Sequence, residues 1–132
     1  LFPQTACFDS LENTFQSFFD GYVVATPPVT HLDLVKDILK NKTPVLVEKP
    51  LTLSVEAGMK IQSLIKKLDR KLIVGHLLLF HPAIIKIKEM IVDGIIGDLQ
   101  YIYSNRLNLG VVRKEENVFW SFAPHDISLF QD

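Results

Sequence analysis

Val45-Leu46-Val47-Glu48-Lys49-Pro50 is a short apolar run, β-branched at both ends, that stops abruptly in an acid, an amine and a proline. Buried parallel strands read as near-continuous hydrophobic runs, and open α/β sheets take their ligands outside the carboxyl ends of those strands. Lys49 therefore falls where chemistry is usually done. The same pattern stands on either side: Tyr22-Val23-Val24-Ala25 runs out into Thr26-Pro27-Pro28, and Leu72-Ile73-Val74-Gly75 runs out into His76. Between these strands lie helical stripes. Leu34, Val35, Ile38 and Leu39 share a face behind Thr30 and Asp33, which are spaced as a capping box. Ala57, Ile61, Leu64, Ile65 and Leu68 form a second stripe, with Thr52 or Ser54 as its cap. Strands alternating with helices of this length predict βαβ units, right-handed crossovers and a parallel sheet. A flavodoxin-like or phosphoacceptor domain shares the pattern, but would end cleanly after its last helix.

Toward the N-terminus, Thr5-Ala6-Cys7-Phe8 reads as the end of a strand, Asp9 or Ser10 as the cap of a short helix, and Asp20-Gly21 as a turn. Toward the C-terminus, His81-Pro82 opens a helix with Ile84, Ile87 and Ile91 facing inward, and Asp93-Gly94 stops it. After Gly97-Asp98 the period changes to two. Leu99, Tyr101, Tyr103, Leu107 and Leu109 alternate with Gln100, Ser104, Arg106 and Asn108, which predicts a long strand with one polar face. A domain boundary is expected near Ile95, dividing the chain into 1–95 and 96–132. Residues 110–117 read as a charged loop, and Ala123-Pro124-His125-Asp126 as the approach to a final helix start.

The 132 residues suit one ordinary domain with a real core, 48% hydrophobic and 22% charged. A net charge of −1 lacks the electrostatic footprint of a nucleic-acid binder. Lys66-Lys67 and Arg70-Lys71 cluster at the end of a predicted helix, where they complement its dipole. No apolar run approaches the ~20 residues that cross a bilayer, so no membrane partner is expected. The single cysteine, Cys7, allows no intrachain disulfide and no cysteine metal cluster, which points to a reducing cytoplasm. The chain begins Leu-Phe-Pro-Gln and ends just after an apolar helix start, so both ends read as cut from a longer protein.

Several residues could carry chemistry. Lys49 is either an ordinary surface lysine or an amine held at the sheet mouth, where Pro50 restricts it to extended geometry. His125 could take a proton near neutral pH, or simply cap or pack a helix start, with Asp126 as a helix N-terminal carboxylate. His31 stands near a helix N-terminus whose amides could meet a phosphate or ribose, and it could equally have no ligand role. Trp120, with Phe119 and Phe122, could stack on a base or sugar or form a small core cluster. His76 and His81 lie in different elements, which argues against a zinc pair. No Ser-His-Asp order, paired-carboxylate site or Walker loop is present, and no metal is expected.

Taken together, Ala25-Thr26-Pro27-Pro28-Val29-Thr30-His31, Glu48-Lys49-Pro50 and Pro124-His125-Asp126 resemble the Gfo/Idh/MocA family of NAD(P)-dependent sugar oxidoreductases, in the family's order. The resemblance implies a doubly wound Rossmann domain over 1–95. After it, over 96–132, would come the start of an α/β domain with an open, mostly antiparallel sheet, through which the protein would form a homo-oligomer. It implies Lys49 and His125 as catalytic residues, NAD or NADP as cofactor, and Thr26, Pro27, His31, Glu48 and Lys49 along the cofactor edge. Arg113 and Trp120 would meet the substrate. Residues 116–128 look like the branch acting on nucleotide sugars, with UDP-N-acetylglucosamine or its uronate, oxidised at C3, as substrate. Two departures stand out. Ser121 occupies the place, four residues before His125, where many members carry an aspartate, and no G-x-G-x-x-G occurs. The first βαβ unit is thus expected to be missing, and the alternative is a non-catalytic fragment or degenerate relative that serves as an interaction subunit.

Overall fold

The structure, a computed structural model, describes residues 3–107 and 117–132. Three parallel strands, β1 (Tyr22–Val24), β2 (Val45–Val47) and β3 (Leu72–Val74), form one sheet in the order β1-β2-β3. Tyr22 pairs with Val45 and Val45 with Leu72, so equivalent positions line up across the sheet. The ladder reaches one step past each strand. Glu48 N–H donates to the Val24 carbonyl (2.9 Å) and Gly75 N–H to that of Val47 (2.7 Å).

Helix α1 (Leu11–Thr14) precedes the sheet, and α2 (His31–Lys40) and α3 (Val55–Leu68) make its two crossovers. Two right-handed crossovers that step in the same direction put both helices on one face. Val24, Val45 and Val47 meet Val35, Ile38, Leu39 and Ile61 there to form the buried core. Each such side chain contributes about 1.5–3 kcal/mol when fully buried. On the opposite face the in-register row Val23, Leu46 and Ile73 is 70%, 36% and 62% exposed. Helix α3 is capped by Ser54, whose hydroxyl accepts from Ala57 N–H, whereas Thr30 gives α2 no side-chain cap. The Thr30 hydroxyl donates instead to the Pro27 carbonyl (2.9 Å), which is already in reach inside the short 3₁₀ turn Pro28–Thr30, so the expected capping box does not form.

Helix α4 (Pro82–Val92) begins as predicted, with His81 Nδ1 accepting from Ala83 N–H at 3.2 Å. It stops at Asp93 and Gly94, whose φ of +69° suits glycine. Ile87, expected inward, is half exposed. Residues 6–8 and 99–107 contain no strand. A strand needs a neighbour for its N–H and C=O groups. Residues 99–107 find none among the described residues, and Tyr101, Tyr103 and Leu107 lie exposed. Leu109, Arg113 and most of the charged loop lie outside the described residues. Helix α5 (Val118–Gln131) starts at the cap Asn117, well before the expected start, and carries Pro124 in its interior. It packs against the 3₁₀ turn Leu77–Phe80 that follows β3.

Candidate active site

Three chain segments converge at the carboxyl edge of the sheet. The first is Glu48-Lys49-Pro50. Val47 is fully buried, so the chain leaves the core only at Glu48, and the half-buried Lys49 reaches out to donate from Nζ to the Ser121 carbonyl of α5 at 2.7 Å. The Lys49–Pro50 peptide bond is cis. The second is Gly75-His76. A Cβ on Gly75 would stand 3.4 Å from both Glu48 Oε2 and the Val47 carbonyl, so the two strand ends approach closely here. His76 follows, with its Nδ1 buried and unpartnered among the described residues.

The third segment is α5 itself. Pro124 has no N–H to return to the Trp120 carbonyl, which loosens the helix at that turn. His125 comes next, one turn beyond Ser121, and its Nδ1 is also buried without a partner among the described residues. Burial pulls the His125 pKa below its ordinary 6.5, and the positive charges of Lys49, Arg106 and His76 pull it the same way, against an upward pull from Asp126. The imidazole is thereby favoured in its neutral, proton-accepting form. Asp126 is held by a guanidinium fork: Arg106 Nε donates to Oδ2 and Nη2 to Oδ1, both at 2.9 Å, while the Ser104 hydroxyl donates to Oδ1 at 2.9 Å. The fork holds the Asp126 carboxyl below its usual value and raises that of Arg106.

The structure therefore sets Lys49 against the helix that carries His125, and His125 sits inside that helix and not at its start. Asp126 is correspondingly not a helix N-terminal carboxylate but the anchor of Arg106. Thr26 and Pro27 lie exposed past β1, where the Thr26 hydroxyl bonds that of Thr30 at 2.7 Å, and Glu48 is half-buried beside them. His31 lies beneath that edge. Its side chain is fully buried, with Nδ1 3.0 Å from the Pro50 carbonyl oxygen and Nε2 2.9 Å from that of Thr26, so both ring nitrogens are engaged within the protein. Trp120 lines a cavity of about 370 Å³ with Pro50, His76 and Ser128, while Phe119 and Phe122 are exposed and form no core cluster with it. A second cavity, about 360 Å³, opens between Phe8–Leu11 and β1, away from Lys49. Arg113 lies outside the described residues. Sequence reasoning placed His76 at the end of a strand and weighed it only as half of a zinc pair, although it follows β3 as Lys49 follows β2. It also gave Arg106 and Ser104 no role, since nothing local pairs them with a residue some 20 positions on.

Residues 2–76, more than half of the chain, match the Gfo/Idh/MocA oxidoreductase family, in its NAD-binding Rossmann fold. An inositol 2-dehydrogenase from Rubrobacter xylanophilus is 39% identical over 79 residues, which is 59% of this chain and 23% of that enzyme. The 2,7-anhydro-N-acetylneuraminate hydratase of Escherichia coli is 30% identical over 101 residues, 76% of this chain and 27% of that one. Among solved structures, scyllo-inositol dehydrogenase from Lactobacillus casei with bound NAD(H) and scyllo-inositol superposes with a TM-score of 0.64 at 26% identity, covering 69% of this chain and 27% of the other. The chain thus spans about a quarter of the length of these relatives. With its parallel βαβ sheet and the match over residues 2–76, the chain belongs to the Gfo/Idh/MocA family of oxidoreductases with an NAD-binding Rossmann fold.

Proposed function

We propose that this chain carries the catalytic lysine and histidine of an NAD(P)-dependent dehydrogenase that oxidises a secondary alcohol of a polyol or sugar. The observation that carries the reading is the meeting of Lys49 Nζ with α5 one turn before a His125 whose neutral form is favoured. A neutral imidazole can take the hydroxyl proton, and an adjacent ammonium can donate a hydrogen bond to the oxygen as it becomes a carbonyl. The chemistry a bound nicotinamide supplies is acceptance of the hydride from the carbinol carbon. Exposed Thr26 and Pro27, with Glu48 and Lys49, fit the nicotinamide end of such a cofactor. The glycine-rich amides that would hold its pyrophosphate are not in this sequence.

Two relatives with inositol dehydrogenase names favour a cyclitol or similar polyol as substrate. The likeness of residues 116–128 to the nucleotide-sugar branch adds UDP-N-acetylglucosamine and its uronate as a second class. On this reading residues 1–95 hold the cofactor, residues 96–132 begin the part that meets substrate and a second copy, and Trp120 forms part of the substrate wall. The test is NAD⁺ and NADP⁺ reduction by the protein with a panel of inositols, aldoses and UDP-sugars. Saturable turnover of a cyclitol is the expected result. Absence of turnover on the whole panel, together with no NADH binding, would instead favour a non-catalytic interaction subunit.

A further inference from the structure

We propose that His31 is a positioning residue for Lys49, its imidazole tying the loop after β1 to the loop after β2 and thereby fixing where the lysine amine emerges. The ring is fully buried at the first position of α2, and Val35, Ile38 and Leu39 of the same helix are locked into the core. It is therefore attached to the helix that supplies Val35, Ile38 and Leu39 to the buried core. From there Nδ1 reaches the Pro50 carbonyl at 3.0 Å and Nε2 the Thr26 carbonyl at 2.9 Å. A neutral imidazole donates to one of the two carbonyls at a time, and a protonated one donates to both. Pro50 is itself buried and immediately follows Lys49, so holding its carbonyl leaves the lysine backbone little freedom. The amine itself donates to the Ser121 carbonyl at 2.7 Å. Loss of the imidazole would leave the Pro50 carbonyl unpaired in the interior and release the loop that carries the amine. On this account His31 acts on catalysis through Lys49 and not through contact with the cofactor.

The two nitrogens can be tested separately. An asparagine amide places a donor near the position of Nδ1, and a glutamine amide places one near Nε2. His31→Asn should keep the tie to Pro50, His31→Gln should keep only the tie to Thr26, and His31→Leu should lose both. The probe is the ¹³C NMR signal of reductively dimethylated Lys49 in the 132-residue protein, assigned by its loss in Lys49→Arg. A wild-type signal displaced from those of the exposed lysines is expected. In His31→Asn it should stay close to the wild-type position, and in His31→Gln and His31→Leu it should move toward the exposed set while circular dichroism shows each protein folded. If His31→Leu does not fold, the Asn and Gln pair still decides. An identical Lys49 signal in the Asn and Gln variants, or an unmoved signal in a folded Leu variant, would overturn the inference. Its consequence for turnover rests on the reading of Lys49 as catalytic: kcat should fall on the order of 10²-fold in His31→Gln with the NADH affinity little changed. The NMR result stands or falls without any turnover, so failure of the positioning role and failure of the dehydrogenase reading remain distinguishable.

Discussion

His125 owes its character to its neighbours. Burial and three nearby cationic groups each oppose a further positive charge on the ring, and only Asp126, already engaged by Arg106, favours one. The folded protein therefore binds this proton later than the unfolded chain does as pH falls. The contribution of His125 to stability is complete above its ordinary value of 6.5 and is lost as pH drops from there through the lower folded value. The same shift bears on the proposed catalysis. If His125 is the base, the acid limb of kcat/KM should lie below about pH 6.5, and a pH–rate profile with the preferred substrate checks it. Lys49 and His125 were both legible in the sequence, because each stands in a short motif with an unusual neighbour. His31 was legible as a residue of interest but not in its role. A histidine at a helix start looks the same whether its ring faces a ligand or two buried carbonyls.

Among elements, α5 differs most from its sequence reading. Proline is favoured in the first turn of a helix, so Pro124 suggested a start near His125. Asn117 instead caps the helix, its side chain accepting from Trp120 N–H at 3.1 Å, and Pro124 is tolerated mid-helix. The earlier start brings Ser121 into the helix, and its carbonyl then becomes the partner of Lys49. Among the described residues two ion pairs hold α5 and its end: Lys88 of α4 meets Asp132, and Arg106 meets Asp126. The second is bidentate and partly shielded, so it is worth more than an ordinary surface pair. A double-mutant cycle on Arg106→Gln and Asp126→Asn, read by urea unfolding, should give a coupling of about 1 kcal/mol. The crossover helices α2 and α3, by contrast, were read correctly to within a residue or two. Their apolar stripes are strictly periodic, and periodicity is a local property. The strand expected over residues 99–109 shows the converse: its alternation was genuine, but residues 99–107 have no neighbour among the described residues to complete a ladder.

At the scale of the whole molecule, the described residues cover the sheet with helices on one face only. Its core is built from the helices between the strands, while the aliphatic row Val23, Leu46 and Ile73 faces outward. The parallel order followed from the strand and helix alternation, yet nothing in the sequence separated a face with two helices from a face with none. The site depends on the same long-range assembly. Lys49 and Ser121 are 72 residues apart, and their contact joins the sheet to α5. The most direct test of the central claim is the turnover of Lys49→Ala beside the wild-type protein, with NADH affinity measured for both through the emission of Trp120. The account predicts a fall in kcat of about 10²- to 10⁴-fold with NADH affinity largely retained. An unchanged kcat would contradict it and remove Lys49 from the mechanism.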